Sequence, residues 1–310
     1  MKKFTPALML VLLLFVISAC TQPNDAHSDM EQGGNEYKVV LEDDRGRKIQ
    51  LFKKPQRIVS LAPSSTETLF ALGLEERIAG VTEYCNYPPA ALEKPKAGGF
   101  SEPNIERIVS LEPELVVAVR LQEEELARLE ELGIPVIILN PTTLEDVYRS
   151  MELLGQATGE EESAHLLVTE TKTRVDAVKE KLSKIPEKER IRVYYEVSAD
   201  PPMSVGCTSF IHELLETAGG NNIFADVEVE YPKVSAEAVV SRDPQVMLFP
   251  EYHGSEGLQS GEIVNRPGWG TISAITEERI FGIGPDKISR PGPRVAEIIE
   301  EMAAIFYPEL

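Results

Sequence analysis

The chain is poor in the residues that staple small folds or hold metals. Its 310 residues include three cysteines, Cys20, Cys85 and Cys207, and four histidines, His27, His165, His212 and His253. No two of these show the short spacing of a metal site, and Cys85 and Cys207 alone make no disulfide framework in a chain this long. There is no G-x-S-x-G elbow and no glycine loop to cradle phosphate, so an enzyme reading lacks both nucleophile and anion site. Positive charge is scarce, with 31 Lys and Arg against 51 Asp and Glu and a formal charge of -20. That balance excludes nucleic acid as the natural partner and suits the solvated shell of a secreted protein. Long apolar runs are lacking too: the longest, near the start, has about 14 residues, short of the roughly 20 that span a bilayer.

That apolar run has the organisation of a secretory leader. "MKK" supplies a positive n-region, "ALMLVLLLFV" an apolar h-region, and "ISAC" ends in small residues before Cys20. Cleavage before Cys20 fits the bacterial lipobox, which predicts a signal peptide over residues 1–19 and lipid on Cys20. Acyl chains there would hold the mature protein at the outer face of the cell membrane or in the periplasm without a spanning helix. The alternative is a short N-terminal anchor with an incidental cysteine. Residues 20–36, polar and without apolar period, read as a flexible tether.

From residue 57 onward short β-branched runs alternate with helical patterns. "RIVSLAP", "RIAGVTEY", "LVVAV" and "PVIILN" have the composition of buried parallel strands. Between the first two, Ser64 with Glu67 three positions on predicts a capping box, and Gly73 a helix end. Residues 160–184 run without Gly or Pro, acidic at the start and basic at the end, with Ala164, Leu167, Thr171, Val175, Val178 and Leu182 at helical spacing. A helix this long reaches nearly 40 Å and can join two lobes. Beyond Pro186, "RVYYEVS", "QVMLFP" and "RIFGIG" resume the alternation. The expected organisation is an N-terminal α/β lobe over 37–158, an interlobe helix over 159–185 and a C-terminal α/β lobe over 186–310.

One sentence of the sequence is written twice. "NIERIVSLEPELVV" at 104–117 matches "SAEAVVSRDPQVML" at 235–248, with Glu106 on Glu237 and the pair Glu112–Pro113 on Asp243–Pro244. Asn104 and Ser235 suit N-caps, and each glutamate then falls in a first helical turn, where the helix dipole alone justifies it. A pair of like charges at equivalent points of two lobes also suits a partner that is itself two-fold symmetric.

The runs "RIVSLAPSSTETLFALGL", "EYCNYPP", "NIERIVSLEPELVVA", "PPMSVG", "YPKVSAEAVVSRDPQ" and "ISRPGPR" occur in an order that resembles the substrate-binding lipoproteins of ABC importers. Among them the chain is most similar to the vitamin B12 (cobalamin)-binding family, related to heme- and siderophore-binding proteins. The resemblance covers roughly residues 55–300. It implies a class III periplasmic-binding-protein fold, two Rossmann-like α/β lobes joined by one long rigid interlobe helix, and a function in capture rather than catalysis. It further implies a cobalamin site at Tyr84, Phe100, Met203, Tyr231, Asp286 and Arg290, with no metal ligands and no resident cofactor. Glu106 and Glu237 would dock on an ABC permease dimer that works with its ATPase. Phe100 and Tyr231 stand where the family has tryptophans, Met203 where it has phenylalanine, and Val119 where it has another tryptophan. Read without the family, Tyr84 and Tyr231 suit half-buried strand-end tyrosines, and Arg290 a surface charge beside Arg294. Trp269 is expected to pack rather than stack on a ligand, and Cys85 to be an inert small hydrophobe. A heme or ferric-siderophore carrier is the nearest alternative; a cell-surface hydrolase or structural lipoprotein is the alternative from another class.

Overall fold

The computed structural model describes residues 37–251 and 260–309, which belong to one compact unit beginning at Tyr37. The expected leader, Cys20, the tether and His253 lie outside the described residues.

An antiparallel hairpin of β1 (Val39–Glu42) and β2 (Lys48–Leu51) opens the first lobe. The elements that follow are β3 (Ile58–Ser60), α1 (Pro63–Ala71), β4 (Ile78–Val81), α2 (Ile105–Ser110), β5 (Leu115–Ala118), α3 (Glu123–Glu131) and β6 (Val136–Ile138). The four later strands form a parallel sheet in the order β4-β3-β5-β6. Alternate residues feed two cores: Ile58, Leu115 and Val117 face one cluster, while Val59, Val116 and Ala118 face the other. That two-sided burial is why these strands read as unbroken apolar runs. Helix α1 corrects one expectation. Pro63 occupies its first turn after the N-cap Ala62, which makes no side-chain cap, so Ser64 lies inside the helix and Glu67 is beyond reach of a capping box. Gly73, at φ +76°, follows the helix end as expected.

Two helices then connect the lobes. Helix α4 (Leu144–Thr158) begins with a capping box between Thr143 and Asp146, and the Leu144 amide donates to Glu213 at 2.8 Å. Its first half, with Val147, Tyr148 and Met151, packs in the core of the second lobe, whereas Leu153, Leu154 and Ala157 pack in that of the first. After Gly159, left-handed at φ +73°, helix α5 (Glu161–Leu182) returns alongside it. Ala164 lies in the first core, Val168, Val175, Val178 and Leu182 lie in the second, and the partly buried Leu167 touches both. The buried stripe thus includes Val168, with Leu167 at its margin. Gly155 lets the two helices meet, because a Cβ there would stand 2.3 Å from the Ala164 Cβ.

The second lobe contains β7 (Ile191–Tyr195), a ribbon of β8 (Ser198–Ala199) and β9 (Pro202–Met203), α6 (Phe210–Thr217), β10 (Gly220–Asn222), α7 (Ala236–Arg242), β11 (Val246–Pro250), α8 (Ser260–Val264), α9 (Ser273–Thr276), β12 (Ile280–Ile283), α10 (Pro285–Ser289) and α11 (Val295–Phe306). Its parallel sheet runs β10-β7-β11-β12. In both lobes the four sheet strands therefore stand in the spatial order second, first, third, fourth. Trp269 is buried at the edge-on face of Tyr194, ring centroids 6.1 Å apart, in a core of this lobe.

The written repeat is repeated in space. Asn104 caps α2 by accepting from the Arg107 amide, and Ser235 caps α7 by accepting from the Ala238 amide. Each helix runs into an acidic residue in the left-handed region, Glu112 at φ +48° and Asp243 at φ +43°, before its proline and strand. The same clamp secures both turns: the Arg57 Nε donates to the Leu111 and Glu112 carbonyls, and the Arg192 Nε to that of Asp243. Glu106 and Glu237 are both exposed. The Glu237 backbone amide, and after it the Ser235 hydroxyl, hold the Glu237 carboxyl below the usual range; an Arg128 Nη lies 3.9 Å from Glu106.

Candidate functional site

A cleft of about 1290 Å³ runs between the lobes. Strand ends and the loops after them build its walls, as expected for parallel sheets whose carboxyl ends face a crevice. The first lobe contributes Tyr84 after β4, Phe100 before α2, and Val119 and Arg120 after β5. The second contributes Tyr231 before α7 together with Asp286 and Arg290 of the α10 segment. The chain passes along the cleft at Asn140, Pro141 and Thr142 on its way from β6 to α4.

The expected ligand residues fall unequally. Tyr84, Phe100, Tyr231, Asp286 and Arg290 all line the cleft. Met203 does not. It belongs to the β8–β9 ribbon, pairs with Ser198 and bridges to Lys233, and these backbone pairings keep it out of the lining. Tyr84 is 60% exposed and Tyr231 39%. Burial and the neighbouring Glu230, which accepts its hydroxyl, push the Tyr231 phenol up to about 12, so it stays protonated at neutral pH. Val119, where the family has a tryptophan, also lines the cleft and offers a smaller contact. Cys85 is buried beneath Tyr84, with the hydroxyls of Thr66 and Thr82 3.1 and 3.2 Å from its sulfur.

Charge in the lining is biased toward acceptors. Glu83, Glu102, Glu230 and Asp286 face two cations, Arg120 and Arg290. Both terminal nitrogens of Arg290 are engaged. Its Nη1 donates to Glu67 at 3.1 Å and to the Asn86 Oδ1 at 2.7 Å, and its Nη2 to the Tyr84 carbonyl at 3.1 Å and to Asp286 at 2.7 Å. Arg120 stacks over Phe100 at 5.3 Å and donates to the Ser101 hydroxyl, and it has no carboxylate partner among the described residues.

Sequence reading missed the group beneath Arg290. The Glu67 side chain is 2% exposed, and Arg294 grips it with two hydrogen bonds of 2.7 and 2.6 Å. Burial opposes the Arg294 charge, but the bonds to Glu67 outweigh it and raise the guanidinium above its ordinary value. The Tyr87 ring covers Arg294 at 4.1 Å. The available signal was Pro63, which moves the helix start forward and leaves Glu67 without a local task. Among the described residues no group of three or more His, Cys, Asp or Glu is placed to hold a metal ion, and no helix is long and apolar enough to cross a membrane.

With this geometry the chain has clear relatives. Residues 58–287 match the periplasmic binding protein family. An uncharacterized ABC transporter substrate-binding lipoprotein of Bacillus subtilis, YvrC, is 31% identical over 307 residues, 97% of this chain and 96% of that protein. The crystal structure of the periplasmic vitamin B12 binding protein BtuF of Vibrio cholerae is 29% identical with a TM-score of 0.69, covering 82% of this chain and 98% of that one. The apo periplasmic heme-binding protein RhuT of Roseiflexus sp. RS-1 is 26% identical with a TM-score of 0.72, at the same two coverages.

Proposed function

The chain belongs to the periplasmic binding protein family, and from that premise we propose that it captures cobalamin or a related corrinoid in the interlobe cleft and delivers it to an ABC permease. In this reading it is an extracytoplasmic lipoprotein held by lipid on Cys20, with lobes over 37–158 and 186–310 about the 159–185 helix. It carries cargo and performs no catalysis.

The observation that carries the choice of ligand is the cleft's mixture of ring faces and acceptors. A corrin is broad, apolar on its faces and edged with primary amides. Tyr84, Phe100 and Tyr231 offer ring surface to the faces; beyond the Arg290–Asp286 pair, the carboxylates of Glu83, Glu102 and Glu230 stand against the single guanidinium of Arg120 and offer acceptors to the amide rim. The volume, about 1290 Å³, is above the roughly 300–1,000 Å³ of ordinary ligand pockets. A porphyrin would bring two carboxylates of its own to an acidic wall. Similarity to the Vibrio cholerae B12 binding protein supports the same choice.

One observation favours the other reading. The exposed phenol of Tyr84 is a hard oxygen donor at the cleft wall, the type of ligand that ferric heme or a ferric siderophore accepts. The two readings separate in one experiment: the protein is mixed in turn with cyanocobalamin, hemin and a ferric hydroxamate, and the visible spectrum of the protein peak is taken after gel filtration. Cobalamin is expected to co-elute at one per chain. Retention of hemin or the hydroxamate without cobalamin would transfer the assignment to iron.

Glu106 and Glu237 are proposed as the docking charges, one per lobe. Exposure at equivalent points of two lobes with the same strand order supports that role.

A further inference from the structure

The buried cluster beneath the cleft joins the lobes through groups that the ligand itself would meet. Glu67 lies on α1 of the first lobe, yet its partners, Arg290 and Arg294, come from the second. Two carboxylates, Glu67 and Asp286, match two guanidiniums, so the cluster is neutral. The Arg290 and Arg294 side chains are 11% and 12% exposed, and such desolvated charges are costly to leave unpaired. The lobes approach closely here: a Cβ on Gly292 would stand 3.3 Å from the Ser64 carbonyl of α1.

The hydrogen-bond count on Arg290 is informative. A guanidinium has five N–H donors, and the four on its Nη atoms are taken by Glu67, Asn86, the Tyr84 carbonyl and Asp286. Among the described residues Nε–H has no partner, and it is left for cargo. Asp286 in turn accepts from Asn86 at 2.7 Å as well as from Arg290. The two charged cleft-lining groups of the α10 segment are therefore held in one orientation, chiefly by first-lobe atoms.

We propose that Glu67 and Arg294 are positioning residues: they latch α1 to the start of α11 and thereby hold Arg290 and Asp286 in the orientation that meets the ligand. Separating the lobes removes Glu67, Asn86 and the Tyr84 carbonyl from Arg290 at one stroke. Arg290 then keeps Asp286 alone, four residues away on its own segment, and loses the first-lobe contacts that orient it. Lobe separation and loss of the ligand's polar partners become one event. This rests on the cleft being the corrinoid site.

The test uses Arg294→Gln, which removes the two-bond grip, and Tyr87→Leu, which uncovers Arg294 at a 42% exposed position and leaves every charge in place. Spin labels at Ser110→Cys and Ser241→Cys, exposed and equivalent in the repeat, report the interlobe distance in a Cys207→Ser background. Arg294→Gln is expected to broaden the ligand-free distance distribution and to raise the cyanocobalamin off-rate at least tenfold, with the on-rate within about twofold. Arg294→Lys should recover part of both, and Tyr87→Leu should show a smaller rise of about threefold. If Arg294→Gln does not fold, Tyr87→Leu decides. Wild-type distances and an off-rate within twofold in the folded variants would overturn the latch. Absence of corrinoid binding by the wild-type protein would instead overturn the ligand assignment, and the distance distributions would still judge the latch.

Discussion

Tyr231 shows what a single side chain of the cleft does. Its ring is half exposed while Glu230 fixes its hydroxyl, so it offers a fixed apolar face with a protonated edge. Tyr231→Ala is expected to weaken cobalamin binding by roughly 1–3 kcal/mol, the range for losing a buried aromatic contact. Titration calorimetry measures it, and an affinity within twofold of wild type would remove Tyr231 from the site. Tyr84 and Arg290 are placed at a cleft by the family resemblance and not by local pattern: taken alone, Tyr84 is a tyrosine past the end of β4 and Arg290 a charge at the end of α10. The same resemblance also placed Met203 there, and it lies outside the lining. Whether a two-residue ribbon faces inward depends on its pairing with Ser198 and Lys233, and no local pattern encodes a partner thirty residues away. Glu67 was hidden for another reason. The S-x-x-E spacing offers a local role, whereas its true partners stand more than 220 residues further along the chain.

Among the elements, α5 is legible and α4 is not. Helix α5 has no Gly or Pro, acids at its start and lysines at its end. Helix α4 contains Gly155 and changes cores midway, so no single apolar stripe marks it as a connector. Gly155 is nonetheless what allows the pair to pack. Gly155→Val places a branched side chain where even a Cβ would meet Ala164 at 2.3 Å, and overpacking of this kind costs about 1–3 kcal/mol. Thermal melts should show that loss, while Gly261→Ala, with open space around it, should be neutral or slightly stabilising. An unchanged melting temperature in Gly155→Val would mean that the helices separate freely at this point.

At the scale of the molecule, the two lobes repeat one topology, and the docking proposal follows from that repetition. Glu106→Arg together with Glu237→Arg is expected to leave folding and cobalamin affinity near wild type and to abolish permease association and uptake. Each single reversal should give an intermediate loss, since interfacial charge pairs of this kind couple by roughly 1.5 kcal/mol or more when desolvated. Pull-down with the permease and calorimetry on the same preparations test it; association that survives the double reversal would leave the two glutamates as ordinary first-turn acids. The matched turns at Glu112 and Asp243, each clamped by its own arginine, have a statistical consequence as well. A carrier that shows the same foot on both lobes can land on a two-fold partner in two headings half a turn apart. Two equivalent landings add RT ln 2, roughly 0.4 kcal/mol, to association. Under the docking proposal, cargo held between the lobes would stay over the middle of the partner in either heading, and delivery would not depend on which lobe leads.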